Sequence, residues 1–197
     1  MTDAIPGISD PSDVFRIAAI QRTLDVDILR DVDWPHVAAD ALAAGADSPL
    51  LRELAGIPRS TPSPDDSEFV ERVVDELGFR SPDLETAKNV LAAMACAWML
   101  DGTWTLEHGF ATILDSISRW GEHDTSAASA RLDKRFLALR HEDDDMTFTA
   151  HGDRELQNVK AAEHESWHAD LVRRKLDAVE AELAGRDVAA LVRDATG

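Results

Sequence analysis

The chain has 197 residues and a mass of 21.6 kDa, which suits one domain or little more and is long enough to bury a core without covalent staples. Its 38 Asp and Glu outnumber its 20 Lys and Arg, for a net charge of -18. A surface of that sign excludes holding nucleic acid by phosphate neutralisation and argues against docking on an anionic membrane, and a single Cys excludes a disulfide framework within the chain.

Taken in chain order, the punctuation is that of a helical protein. Val14 to Arg30 fits a helix broken near Asp25-Val26-Asp27. Trp34, Val37, Ala38, Ala41 and Leu42 have helical spacing and stop at Gly45. Ser48-Pro49 starts a short helix through Leu50, Leu51 and Leu54, stopped by Gly56. Three prolines and three hydroxyl residues make Pro58 to Pro64 a loop. Asp65 or Asp66 then caps a helix carrying Phe69, Val70, Val73, Val74 and Leu77, with Gly78 after it.

Ser81-Pro82 reads as a cap followed by a first-turn proline. The next stripe is Leu84, Ala87, Leu91, Met94 and Trp98, widened by Val90, Ala95 and Met99, and it ends near Asp101-Gly102. Thr105 caps another helix with Leu106, Phe110, Ile113, Leu114, Ile117 and Trp120 inside. The short link predicts an antiparallel pair. After a loop at Glu122 to Ser129, a helix is expected from about Ala130 to Arg140, then an acidic turn at His141 to Asp145 and a short extended piece at Met146 to Thr149. Asp153 opens the longest helix, to about Leu183, and Val188 to Val192 forms a terminal turn or two. The expected architecture is all-α: a bundle of about seven unequal helices with one long C-terminal helix, residues 1–30 forming an N-terminal helical extension and 31–197 the bundle.

The opening Met1-Thr2-Asp3-Ala4-Ile5-Pro6 has neither a basic region nor an apolar run. The longest apolar stretch, Val90 to Leu100, falls far short of the roughly 20 residues a membrane helix needs. A cytoplasmic protein is expected.

The run Trp34-x3-Ala38-x2-Ala41-Leu42, then Gly45-x-Asp47-Ser48-Pro49-x-Leu51-Arg52-Glu53-Leu54-Ala55-Gly56, resembles a group of small helical actinobacterial proteins without an assigned function. So does the later capped Ala-rich helix, Asp101-Gly102-Thr103, and the helix holding Gly109. The likeness covers roughly residues 34 to 140 and departs at Thr105-Leu106, where the group would have a proline. It implies a bacterial, all-helical, cytosolic protein and carries no catalytic residue across.

The sharpest chemical signal is His164-Glu165-Ser166-Trp167-His168, an HExxH pattern on an expected helix. Spacing i,i+4 puts both imidazoles on one face, where they would hold Zn2+, with Glu165 as general base toward a metal-bound water. Charged Glu163 and Asp170 flank it, and Glu180 lies too far along the helix to be the third ligand. His108 and His36 are the alternatives. The plainer reading is two ordinary histidines beside the stripe His168, Val172, Leu176, Val179 and Leu183. His141 beside Glu142, Asp143, Asp144 and Asp145 lacks the glycine and alternating ligands of a calcium loop and reads as a solvated turn. Cys96 sits on a core helix as a small hydrophobe. Arg173-Arg174-Lys175 beside Asp170 and Asp177 reads as a salt-bridged helix face.

Trp98 and Trp120 fall on apolar stripes, whereas Trp104 and Trp167 suit a partly exposed surface. The leading expectation is a non-enzymatic, acidic interaction module without cofactor. It would bind a basic protein partner through Trp104, Trp167 and the carboxylates Glu142, Asp143, Asp144 and Asp145, as an immunity, antitoxin-type or adaptor protein would. The rival is a zinc-dependent hydrolase using His164, Glu165 and His168.

Overall fold

The computed structural model describes residues 10–26, 28–29, 32–58, 66–118, 127–141 and 157–197. Among them every regular element is helical and no strand occurs. The helices are α1 (Ser12–Leu24), α2 (Trp34–Ala43), α3 (Pro49–Ala55), α4 (Asp66–Glu76), α5 (Leu84–Leu100), α6 (Leu106–Ser118), α7 (Ala127–Leu132), α8 (Gln157–Leu183) and α9 (Val188–Thr196). A π-helical turn, Asp133–Leu137, continues α7. The all-helical expectation therefore holds, but the described residues contain nine α-helices rather than about seven. The long helix is also not the last. The stretch expected to be a terminal turn or two is a full helix, α9, capped by Asp187, whose Oδ1 accepts from the Ala190 amide at 3.0 Å.

The chain forms two compact units, Met1–Leu91 with Arg186–Gly197, and Ala92–Gly185. Both sides of residue 30, where the sequence suggested an extension joining a bundle, fall in the first unit.

In the first unit α1 packs against α2, α4 and α9, and α3 against α2 and α4. Phe15, Ile17, Ala19, Ile20 and Leu24 of α1 are fully buried. Each large apolar side chain so buried contributes about 1.5–3 kcal/mol before entropy is subtracted. Trp34 at the start of α2 lies against Phe15, ring centroids 5.6 Å apart. α1 ends six residues before Arg30 because Asp25 turns left-handed, with φ 51°. Aspartate tolerates that conformation better than most non-glycine residues.

Two residues fasten α9 to α1. Arg193 pairs with Asp13 at 3.1 Å, and Arg16 donates to the Thr196 hydroxyl at 3.1 Å. Arg16 also lies over the Phe79 ring, 4.1 Å from its centroid. Asp13 is fully buried, and burial pushes its carboxyl above the ordinary aspartate range, against the opposing pull of Arg193 and Arg16.

The core of the second unit is Ala92, Ala95, Cys96, Met99, Phe110, Ile113, Leu114, Leu132, Phe136 and Val179. Cys96 is buried there, as its neighbours predict. Phe110 and Phe136 meet edge to face at 5.0 Å. Glu182 is almost wholly buried and receives two guanidiniums, Arg131 at 2.9 Å and Arg135 at 2.7 Å. The two arginines straddle the start of the π turn, one on either side of Leu132 and Asp133.

Candidate interaction surface

The link between α5 and α6 is a tight, hydrogen-bonded corner in the second unit. Asp101 opens it by accepting from the Thr103 amide at 2.9 Å, and Gly102 takes φ 83°, which a side chain would strain. The Trp104 amide donates back to the Trp98 carbonyl at 2.9 Å. Thr105 then caps α6, its hydroxyl accepting from the His108 amide at 3.2 Å, as the sequence predicts. Gly109 allows α6 to lie close on α5, because a β-carbon there would sit 2.2 Å from the sulfur of Met99.

These turns hold an aromatic row. Trp98 is buried, as its stripe predicts. Its ring meets Trp104 at 4.6 Å, and Trp104 meets His108 at 4.4 Å, both in tilted or edge-on geometry. Trp104 is half-buried and His108 exposed. At the end of α5 Leu100 is 40% exposed, and Asp101 and Glu107 are exposed. Sequence reasoning named Trp104 but passed over Leu100. The missed signal is charge: between Lys88 and Arg119 the chain has no Lys or Arg at all.

The other expected sites fare differently. α8 is continuous through residues 164–168, so His164 and His168 stand one turn apart. His168 is exposed and Trp167 half-buried, while the side chains of His164 and Glu165 lie outside the described ones. Among the described residues no three His, Cys, Asp or Glu side chains cluster so as to hold a metal ion. His36, one suggested third ligand, belongs to the first unit and lies 3.3 Å from Asp40. His108, the other, rests on Trp104. Glu180 is exposed on α8. Glu142, Asp143, Asp144 and Asp145 lie outside the described residues, as do Trp120 and Met146 to Thr149.

The Arg173-Arg174-Lys175 cluster is only partly the salt-bridged face expected. Asp170 pairs with Arg173 and, at 3.1 Å, with Arg174. Lys175 instead is buried, its ammonium 5.4 Å from the Phe110 ring centroid. One residue's step around a helix turns the side chain by about 100°, which separates Lys175 from the exposed Arg173 two positions earlier. Among the described residues no helix is long and apolar enough to cross a membrane.

No protein-family model, no curated protein and no solved structure matches the chain.

Proposed function

We propose that this protein is a non-enzymatic helical interaction module that binds a basic protein partner in the cytoplasm, in the manner of an immunity, antitoxin-type or adaptor protein. The observation that carries the reading is where the cations go. Arg22 pairs with Asp75, Arg52 with Asp47, Arg131 and Arg135 with Glu182, Arg173 and Arg174 with Asp170, and Arg193 with Asp13. Seven arginines are thus paired within the molecule, while carboxylates such as Asp101, Glu107 and Glu180 are exposed and the net charge is -18. Such a field steers a cationic partner inward and repels nucleic acid. The resemblance to small actinobacterial helical proteins belongs to the same proposal.

The test is affinity capture followed by reconstitution with purified components. One basic partner, bound stoichiometrically and released steeply by salt, is the expected result. A partner of acidic charge, or binding that salt leaves unchanged, contradicts it.

The continuity of α8 through HExxH favours one second reading, a zinc-dependent hydrolase with His164 and His168 as ligands and Glu165 as base. Elemental analysis separates the two. The module reading expects far less than one zinc per chain, whereas stoichiometric zinc, lost in both His164→Ala and His168→Ala, favours the hydrolase.

A further inference from the structure

Independently of the partner reading, we propose that α9 is a strap that lifts from α1 as a unit, turning at Gly185, and that the Asp13 carboxyl beneath it is its proton-sensitive catch. The seating of α9 points first to a strap. α9 packs chiefly against α1. Its buried apolar side chains are two valines, Val188 and Val192, so little of its hold is hydrophobic. Gly185, just before it, is exposed, takes φ 71° and has no atom within 4 Å of where a β-carbon would stand. A residue so free of contacts can absorb a change of backbone angle, as hinge positions do.

Polar fasteners supply much of the rest. Arg193 of α9 donates to Asp13 Oδ2 at 3.1 Å, Arg16 donates to the Thr196 hydroxyl at 3.1 Å, and the Arg80 amide donates to the Thr196 carbonyl at 3.1 Å. Arg16 belongs to α1 and rests on Phe79, so it stays in place when α9 lifts, whereas Arg193 leaves with the helix.

Asp13 is where these fasteners meet a titratable group. It is fully buried, and its Oδ1, with Arg16 Nε 3.3 Å away, accepts no hydrogen bond among the described residues. A buried carboxylate short of a hydrogen bond is costly as an anion, and protonation relieves that cost. Burial accordingly raises the carboxyl above its ordinary range, while Arg193 and Arg16 pull it down and Asp10 pushes it up. Of the other helices packed on α1, α4 directs Asp75 to Arg22 and Glu76 to the start of α3, and α2 pairs His36 with Asp40. Lifting α9 lets water reach the carboxyl. It also takes Arg193 away, but burial is the larger influence, so the lifted form holds the proton less tightly than the closed form. Closure is therefore favoured below the ordinary aspartate range, and that advantage is lost as pH rises through the raised value. The strap is held in acid and loosened toward neutrality.

The experiment is amide exchange on the full chain, followed by NMR from the ordinary aspartate range up to neutrality and corrected for the intrinsic rate. Amides of α9 from Leu191 to Thr196 are expected to open more often than those of Ile17 and Ile20 in α1. Their opening constant is expected to rise with pH, by at most about tenfold per unit, the limit for one proton. Asp13→Asn is expected to abolish that rise, and Asp194→Asn, at an exposed position on α9, to leave it in place. Arg193→Gln keeps the carboxyl and removes its partner, so it is expected to extend the rise to higher pH. Exchange of α9 and α1 with one opening constant would overturn the strap. Opening independent of pH, or the same rise in Asp13→Asn, would overturn the catch. Opening that grows in acid would show that the pair with Arg193 outweighs burial and would overturn the sign.

Discussion

Trp98 shows how one side chain links stability to the surface. It is 4% exposed, and its ring and carbonyl both hold Trp104. Trp98→Ala is expected to destabilise by roughly 3–5 kcal/mol in urea unfolding, since it empties a core position. A melting temperature unchanged within about a degree would contradict that, because even 1 kcal/mol moves the midpoint of a domain this size by several times as much. Gly109 makes the complementary case. A methyl group there must displace Met99, so Gly109→Ala is expected to cost about 1–3 kcal/mol, and trimming the obstacle with Met99→Ala should make the second change less costly than the first alone.

Asp13 gives a residue-scale pH dependence of unusual sign. Its carboxyl is raised by burial, so folding favours the protonated form. The associated stability is fully present below the ordinary aspartate range and is lost as pH rises through the raised value. Asp13→Asn is neutral throughout and should gain on the wild type in urea titrations as pH rises above the ordinary aspartate range. A gap that widens against the variant over that range would show that the pairs to Arg193 and Arg16 outweigh burial.

At the scale of elements, caps decide where helices begin. Ser48 and Thr105 cap α3 and α6 as their sequence positions suggest. Ser81-Pro82 was misleading: α5 begins at Leu84, and Asp83 is the cap, accepting from the Thr86 amide at 2.8 Å and the Thr86 hydroxyl at 2.9 Å. Those hydrogen bonds hold the Asp83 carboxyl below its usual range. Asp83→Ala is therefore expected to cost about 1 kcal/mol at neutral pH. The lowered carboxyl contributes above the ordinary aspartate range and ceases to contribute as pH falls through its depressed value, so the penalty should shrink in strong acid. A penalty independent of pH would assign the loss to helix propensity instead.

The same contrast explains what was legible. Leu84, Leu91, Met94 and Trp98 give α5 away by period, because a helix that buries a face must place apolar residues every third or fourth position. Residues 90–96 are all buried, however, and a helix without a wet face has no phase to read. The π turn at Asp133–Leu137 leaves no periodic mark over so few residues. The break of α1 near Asp25 was legible, although Asp25 turns left-handed without the glycine that usually signals such a stop. Trp104 was legible as a surface aromatic from its place between a turn and a cap. Leu100 was not, because its exposure depends on where the turn at Asp101 and Gly102 leaves α5, not on its own identity.

At the scale of the molecule, the feature least visible in sequence is that the first unit is completed from the far end of the chain. α9 has only nine residues, too few to be stable alone, and it persists because Val188, Val192 and Thr196 bury against its own unit and Arg193 meets Asp13. Removing residues 186–197 is expected to uncover the α1 face and to lower the first unfolding transition by many degrees. An unchanged melting curve would contradict the role given to α9.

The charge of the whole molecule bears on function. A net -18 with arginines paired internally leaves a field that would attract a basic partner of the kind proposed before any contact forms. Hydrogen exchange on the complex with that partner tests the account most directly. Slower exchange at the corner that carries Trp104 is the result predicted. Protection centred on the HExxH turn of α8, with the corner exchanging as in the free protein, would contradict it.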